Sequence, residues 1–537
     1  MRVGIGRRRG RGRWLPGVSA ALAVLAAACG GSGSDTLNAD RAPVAPASSI
    51  QVGTTASEGV DVGSTEGDSG YPPVPSSVDT PGPTGSPPGD GTVVPSEPVQ
   101  GDAGLGDPYF PDWGNGGYDA IRYTLDLTIQ PGRNLVDAVV TMDAVATEPL
   151  LGFNLDYAGP ELTRVTVNGA GAGWEREGEE LRIRPRETLP AGVGFSVQTS
   201  YSASPKAVPT VAWPQGVGWQ APRADLIYVV SEPNGARGWY PVNDHPSDKA
   251  LYRFRLTVPE PFSAVANGEL VRSSTDSGMT TFEYETHHPM ASYLVTIGVG
   301  EFSPQSSPGP EGIRIRNFVA PGLVDIAGGA LDLQARMIEE LTPLFGPFPF
   351  DTYGALVVDS DFGGALENQT LSVFSGGMFR SPILAEEVVV HELAHQWFGD
   401  SLTIDNWRDI WLNEGFATYA EWLWRELTEP DFDLDAFARA TADSGRPIWG
   451  PPGDPGPAGL FDSTVYIRGA LTLHELRLTV GDEVFFEILR SYSSRYADST
   501  VDTPRFVAVA EEVSGRDLGD LFDSWLYGER TPELTGG

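Results

Sequence analysis

Hydrophobic and polar residues alternate over much of the chain between residues 106 and 303. From Ile121 to Ile129 every second residue is apolar or aromatic, which is typical of a strand buried on one face. A turn at Pro131-Gly132 separates this strand from a second predicted strand over residues 135–145, and Asn168-Gly169 predicts a hairpin. The pattern predicts an all-β domain over residues 106–303. Its further short strands are predicted over residues 252–258, 280–284 and 293–299.

The spacing of hydrophobic residues changes after a Pro-, Ser- and Gly-rich connector at residues 304–310. Helical spacing predicts a helix over residues 324–341, ended by Pro343. A short apolar run at residues 353–358 predicts a buried strand, and helical spacing dominates the rest of the chain. We therefore predict a second domain of α+β structure over residues 304–530, in which helices dominate the latter half.

Residues 29–105 differ in composition from both predicted domains. They are mostly Gly, Ser, Thr, Pro, Asp and Val, with almost no aromatic residues. Such a segment cannot bury enough apolar surface to offset the entropy lost on ordering. We therefore predict a disordered N-terminal tether, so that the fold class of the whole chain is multidomain α+β.

The start of the chain is basic, and an apolar stretch follows from Leu15 to Ala28. This stretch has the length of a signal-peptide core and is too short to span a membrane. Small residues precede Cys29, the only cysteine of the chain, which resembles a bacterial lipoprotein signal. We predict a signal peptide over residues 1–28, lipid attachment at Cys29 and an exported lipoprotein on the outer face of the cell membrane. The alternative is ordinary secretory cleavage, which would give a secreted protein with Cys29 as a free thiol.

Composition narrows the classes of function. The chain has 537 residues, of which 72 are acidic and 36 basic, and its formal net charge is −36 at pH 7. Such an acidic chain disfavours nucleic acid as a partner, because a polyanion would be repelled. One cysteine excludes an intramolecular disulfide framework and a multi-cysteine metal site. The sequence does not determine the oligomeric state.

A His-Glu-x-x-His motif lies on a predicted helix in the second domain. His391 and His395 are four residues apart and therefore lie on one helical face, from which both imidazoles can reach one metal ion. Glu392 lies next to that face and can address a water on the metal. The alternative is that both histidines are core residues of an amphipathic helix.

A second predicted helix carries Glu414, 19 positions after His395. A following antiparallel helix can bring this carboxylate to the same metal. Two histidines, one glutamate and a water form a catalytic zinc shell with an open position. Such a zinc lowers the pKa of the water, and Glu392 takes its proton.

With these two segments the chain resembles the gluzincin zinc aminopeptidases, which are the aminopeptidase N and leukotriene hydrolase family. The family signature is His-Glu-x-x-His, eighteen residues, then Glu in an Asn-Glu-Gly-Phe-Ala context, and residues 391–417 contain every part of it. The resemblance runs from about Tyr109 to Leu526.

Three further segments carry the resemblance. Residues 363–368 resemble the Gly-Ala-Met-Glu-Asn exopeptidase motif, with Leu366 in place of Met. Residues 465–470 resemble the Tyr-Glu-Lys-Gly segment, with Ile467 and Arg468 in place of Glu and Lys. Residues 231–244 resemble the segment of the β domain that reaches into the active site.

The resemblance implies a saddle-like N-terminal β domain and a thermolysin-like catalytic domain that holds one zinc ion. The large C-terminal helical domain common in the family is expected to be absent. The implied zinc ligands are His391, His395 and Glu414. Glu392 is the implied general base and proton shuttle, and the Tyr466 hydroxyl is the implied donor to the oxyanion of the tetrahedral intermediate.

The resemblance also implies how a peptide substrate binds. Glu367, with Glu232 as a second carboxylate, would bind the free α-ammonium group. Backbone groups of Gly363, Gly364 and Ala365 would pair with the extended substrate, and Asn368 would support Glu367. The alternatives are that Glu367 is a solvated surface acid, Glu232 an ordinary loop acid and Tyr466 a packed helical tyrosine.

The predicted function is that of a zinc-dependent aminopeptidase. It would hydrolyse N-terminal residues from peptides by attack of a zinc-bound water activated by Glu392. The predicted partners are peptides with a free N-terminus and the membrane that holds the lipid anchor on Cys29. The alternatives are a gluzincin hydrolase of other specificity and a catalytically inactive surface binding lipoprotein.

Overall fold

A computed structural model describes residues 97–445 and 449–536. The predicted signal peptide, Cys29 and the predicted tether as far as residue 96 lie outside the described residues. Among the helices of the described part, none has the length and apolar character needed to cross a membrane.

The first part of the described chain consists of β-strands. Within the described residues the largest sheet has eight strands, in the order β14-β15-β12-β2-β3-β9-β5-β6, and two four-stranded sheets have the orders β1-β4-β8-β7 and β10-β11-β16-β13. The strands are β1 (Val99–Gln100), β2 (Tyr118–Gln130), β3 (Leu135–Ala146), β4 (Leu150–Asp156), β5 (Arg164–Val167), β6 (Ala170–Gly171), β7 (Gly173–Glu177), β8 (Glu180–Arg184), β9 (Gly194–Ala203), β10 (Gly218–Arg223), β11 (Leu226–Val230), β12 (Leu251–Pro259), β13 (Ser263–Ala266), β14 (Glu269–Asp276), β15 (Met279–Glu285) and β16 (Ile297–Gly300).

The alternation of residues in β2 and β3 gives this sheet one buried face. Leu125, Leu127 and Ile129 are fully buried, while the residues between them are partly exposed. β2 pairs antiparallel with β3 and parallel with β12. The hairpin predicted at Asn168-Gly169 is confirmed, since β5 and β6 pair antiparallel across it.

Helices dominate the second part of the described chain. Its main sheet has the order β17-β18-β20-β22-β21, with β19 pairing to β18. The strands are β17 (Ser303–Pro308), β18 (Arg314–Val319), β19 (Thr352–Tyr353), β20 (Ala355–Val358), β21 (Ala365–Leu366), β22 (Ser372–Ser375), β23 (Thr403–Ile404) and β24 (Thr500–Val501). The helices are α1 (Val324–Leu331), α2 (Gln334–Phe345), α3 (Pro382–Ala394), α4 (Trp411–Thr428), α5 (Leu434–Gly445), α6 (Gly469–Val480), α7 (Asp482–Arg495), α8 (Thr503–Ser514) and α9 (Gly519–Phe522).

Two segments predicted to lack regular structure form edge strands instead. Within the tether predicted over residues 29–105, β1 pairs parallel with β4, so that prediction is wrong for these residues. The predicted connector at residues 304–310 is also wrong over most of its length, because β17 pairs antiparallel with β18. Both segments join a sheet through backbone hydrogen bonds, and an edge strand tolerates the Pro304 and Pro308 that a central strand would not.

Two further predictions are wrong in their bounds. The helix predicted over residues 324–341 is two helices, α1 and α2, and Pro343 lies inside the last turn of α2. The strand predicted over residues 293–299 begins only at Ile297, since Ser292–Leu294 is a single 3₁₀ turn.

A pair of glycines allows α4 and α6 to touch at their backbones. A Cβ added to Gly415 would lie 2.9 Å from the Cα of Gly469, and a Cβ added to Gly469 would lie 2.9 Å from the Cα of Gly415. Real Cβ atoms need more room than this, so both positions require glycine. The close approach brings together the chain next to Glu414 and the chain next to Tyr466.

Candidate metal centre

Helix α3 carries the His-Glu-x-x-His motif into the core. Its first turn is set by Ser381, whose Oγ accepts a hydrogen bond from Leu384 N, and by Pro382 at the first helical position. His391, Glu392 and His395 are 4%, 6% and 1% exposed. The motif therefore lies at the buried end of the helix.

Helix α4 brings Glu414 to the two imidazoles. Glu414 Oε2 lies 3.2 Å from His391 Nε2 and 3.4 Å from His395 Nε2. One ligand atom from each of the three residues lies within 4.8 Å of the others. The convergence predicted for these residues is therefore present.

The spacing of these donor atoms fits a tetrahedral ion. At metal–ligand distances of about 2.0–2.1 Å, neighbouring donors of a tetrahedral zinc site lie roughly 3.3–3.4 Å apart. The two distances to Glu414 match this spacing, and two imidazoles with one carboxylate are a donor set that zinc uses in catalytic sites. His391, His395 and Glu414 could thus hold zinc and leave one position open.

The second nitrogen of each imidazole has a defined partner. His391 Nδ1 lies 2.6 Å from Glu421 Oε1, and His395 Nδ1 lies 3.0 Å from the carbonyl oxygen of Phe398. These contacts place the proton on Nδ1 and direct Nε2 toward the metal position. Glu421 was not predicted from the sequence, although it follows Glu414 by seven residues on one face of α4.

Gly399 lets the chain turn back beside His395. Its φ is +137°, and an added Cβ would lie 3.1 Å from His395 Nδ1. A side chain here would push against the imidazole, so glycine is required for both conformation and space.

Charge and burial shift the pKa values of Glu414 and Glu392 in opposite directions. Burial opposes ionisation of Glu414, but the charge of His395 and hydrogen bonds from both imidazoles outweigh it and lower its pKa to about 2. Burial raises the pKa of Glu392 to about 8, although both imidazoles act against this rise. The site thus favours the anion of Glu414 and the neutral acid of Glu392.

Glu367 lies beside the metal position at the end of β21. It is 2% exposed, and an oxygen of its carboxylate lies within 4.8 Å of ligand atoms of both Glu392 and His395. Among the described residues its Oε1 has no hydrogen-bond partner. Burial raises its pKa, and the charge of His395 opposes that rise. The alternative of a solvated surface acid is therefore wrong for Glu367.

Two side chains hold the backbone around Glu367. Gln396 donates from Nε2 to Glu367 O at 2.8 Å and accepts from Thr370 N at 2.8 Å. Asn368 donates from Nδ2 to Leu294 O at 3.0 Å, so it ties the loop to the β-rich region. Gln396 was not predicted from the sequence, although it directly follows His395.

Glu232 is a buried carboxylate of the β-rich region. It is 8% exposed and follows β11. Burial, and after it the charges of Glu367 and Glu232, hold the pKa of Tyr293 well above its usual range. The Tyr293 hydroxyl donates to Gly399 O at 3.2 Å. Tyr293 had no signal in the sequence.

Within the described part of the chain, β21 is an edge strand that pairs on one side only. Ser375 N donates to Gly364 O at 3.1 Å, so the carbonyl group of Gly364 is taken by β22. Because backbone groups alternate along an antiparallel strand, the N–H and C=O of Ala365 point to the other edge. Of the three residues predicted to pair with substrate, Gly363 has a φ of +91° and Ala365 offers the aligned backbone groups.

The ring of Tyr466 packs against the imidazole of His391. Its ring is half-buried and lies parallel to that of His391, with centroids 6.0 Å apart and an interplanar angle of 20°. It belongs to a π-helical turn, Thr464–Arg468, directly before α6. Single π turns often mark functional sites.

Comparison with known proteins identifies related sequences and folds. The Peptidase family M1 domain matches residues 329–525, and the Peptidase M1 N-terminal domain matches residues 225–294. Aminopeptidase M1-B of Oryza sativa is 29% identical over 56% of this chain and 36% of its own length. Aminopeptidase N of Oryctolagus cuniculus is 28% identical over 56% of this chain and 35% of its own length. The chain thus spans about a third of the length of the curated relatives it matches.

Solved structures of a two-domain enzyme match a larger share of this chain than the curated relatives do. The M1 zinc metallopeptidase of Deinococcus radiodurans has 33% identity and a TM-score of 0.74, with 81% of this chain and 100% of that chain covered. A variant of it bound to the substrate Tyr-Ser-Ala has 32% identity, a TM-score of 0.74 and coverage of 81% and 99%.

The contact between Glu421 and His391 generates a test of the metal centre. Glu421→Gln removes the charge that orients and polarises the imidazole, and loss of such a partner weakens metal binding about 10- to 100-fold. Competition of the metal-free protein with a fluorescent zinc chelator measures this affinity. Glu426→Gln is the matched control, because Glu426 lies on the same helix and pairs with Arg477 instead. Equal zinc affinity of Glu421→Gln and the wild type would contradict the assigned role.

Proposed function

The chain belongs to peptidase family M1, and on this basis we propose that it is a zinc-dependent aminopeptidase, which removes single residues from the amino ends of peptides. The observation that carries the proposal is the buried carboxylate of Glu367 beside the metal position. The family indicates one zinc ion, and the proposed ligands are His391, His395 and Glu414.

Glu367 accounts for the proposed exopeptidase specificity. A buried anion without a hydrogen-bond partner on one oxygen is costly, and a substrate α-ammonium group would compensate it. Glu232 would add a second carboxylate, since its charge and that of Glu367 both act on the Tyr293 hydroxyl. An ammonium held at Glu367 places the first peptide bond of the substrate next to Glu392, which is within 4.8 Å of Glu367. Cleavage then follows the first residue.

The free edge of β21 would align the substrate. An extended peptide can add to this edge through the N–H and C=O of Ala365. Gly364 leaves space beside the strand, since an added Cβ there would meet no atom within 4 Å. The backbone thus fixes the substrate's direction, and Glu367 fixes its end.

The proposed chemistry divides among three side chains. When bound, zinc supplies Lewis-acid chemistry, which acidifies water and polarises a peptide carbonyl. Glu392 accepts the proton of the attacking water and returns it to the leaving amine. The Tyr466 hydroxyl donates a hydrogen bond to the oxygen on which negative charge develops. Glu367 holds the ammonium group throughout.

A panel of aminoacyl chromophore substrates tests the proposal. We expect hydrolysis of free substrates, its loss on chelation and negligible hydrolysis of N-acetylated counterparts. Glu367→Gln should lower kcat/KM for free substrates about 10²- to 10³-fold, because a buried charge pair is worth several kcal/mol. Asp359→Asn serves as the control for lost charge, because Asp359 is an exposed acid in the loop that precedes β21. Cleavage of N-acetylated substrates at the rate of free ones would refute the aminopeptidase assignment.

We also propose that the protein is exported and anchored by a lipid on Cys29. The apolar stretch at residues 15–28 and the single cysteine that follows it support this proposal. In a bacterial host the full chain should sediment with membranes, while Cys29→Ser should appear in the soluble fraction. Membrane association that survives Cys29→Ser would rule out the lipid anchor.

A further inference from the structure

Arg468 is a fully buried cation that binds only backbone groups. Its side chain is 0% exposed. Within the described part of the chain it forms no salt bridge, and its guanidinium group donates to six backbone carbonyl oxygens. The acceptors are those of Trp449 at 3.2 Å, Gly450 at 2.8 Å, Ser524 at 3.1 Å, Trp525 at 2.8 Å, Gly528 at 2.7 Å and Arg530 at 3.3 Å.

Two of these carbonyl groups, those of Ser524 and Trp525, belong to the end of one helical segment, and those of Gly528 and Arg530 follow it. α9 continues into a π-helical turn, Asp523–Tyr527, and Ser524 and Trp525 lie in its final turn. The last carbonyl groups of a helix have no partner within the helix, and a cation there also meets the negative end of the helix dipole. Arg468 thus caps this segment from inside the protein.

Arg468 is also the last residue of the turn that carries Tyr466. That turn, Thr464–Arg468, is π-helical, a conformation that regular helix bonding does not maintain by itself. Its first residue, Thr464, donates from Oγ1 to Gly450 O, the same carbonyl that Arg468 Nη1 binds at 2.8 Å. Both ends of the turn are therefore fixed to Gly450, with Tyr466 between them.

We propose that Arg468 is a positioning residue, which holds the π-helical turn so that the Tyr466 hydroxyl is aimed at the developing oxyanion. The inference rests on the proposed function, because Arg468 acts through Tyr466 and touches no reacting atom. Transition-state donors must be held in place before reaction to be effective. A turn fixed at both ends to one carbonyl provides this restraint.

Lysine cannot replace arginine in this role. A guanidinium group has five N–H donors in one plane, whereas an ammonium group has three around one atom. An ammonium could not reach the carbonyls near residue 450 and those of residues 524–530 together. Arg468→Lys keeps the charge but releases one side of the turn.

A double-mutant cycle with Tyr466→Phe tests the proposal. In the wild-type background, Arg468→Lys should lower kcat about 10- to 100-fold, with KM and zinc content within about twofold of wild type. In the Tyr466→Phe background the same substitution should change kcat less than about twofold, because no hydroxyl is left to position. Thr464→Val removes the other tether and should behave in the same way, which provides a second variant if Arg468→Lys folds poorly.

Arg477→Lys is the matched control. Arg477 lies on α6 and pairs with Glu426 and Asp482, so its replacement should leave kcat within about twofold of wild type. Equal losses of kcat from Arg468→Lys in both backgrounds would show a merely structural role and overturn the proposal, as would an unchanged kcat. A wild-type enzyme without turnover would instead overturn the proposed function, and this inference with it.

Discussion

The concentration of buried acid around two imidazoles is the constraint on which the site depends. Glu367, Glu392, Glu414 and Glu421 are all at most 9% exposed. Each ion removed from water costs several kcal/mol unless an opposite charge or hydrogen bonds compensate it. His391 contacts Glu414 and Glu421 directly, and His395 contacts Glu414. A dication between His391, His395 and Glu414, together with the proposed substrate ammonium at Glu367, would supply the remaining charge and complete the electrostatic balance of the site.

This balance requires accurate placement of the charged side chains. Three glycines and the side chain of one glutamine provide it. Gly415 and Gly469 let α4 and α6 touch, and Gly399 leaves room for the His395 ring. Gln396 joins the helix of the metal ligands to the loop of Glu367 through two hydrogen bonds of 2.8 Å. The groups proposed to bind metal, substrate and oxyanion are therefore connected through shared backbone.

Periodicity and residue spacing were sufficient to predict the centre of the site but not its supports. Alternation predicted β2 and β3 because one face of each is buried, and the four-residue spacing placed both histidines on one face of α3. Edge strands such as β17 were not predicted, because backbone hydrogen bonds hold them and these bonds do not depend on residue type. Tyr293 and Gln396 act from long range or on backbone atoms, so nothing nearby in the sequence indicates their role. Glu421 was detectable through its helical register with Glu414.

Glu392 is the proposed base in a zinc site that other residues build. Zinc content and turnover of Glu392→Gln, measured on the same preparation, test it most directly. We expect one zinc per chain, because the proposed ligands are His391, His395 and Glu414, together with loss of aminopeptidase turnover. Turnover equal to that of the wild type, or loss of the zinc with the carboxylate, would contradict it.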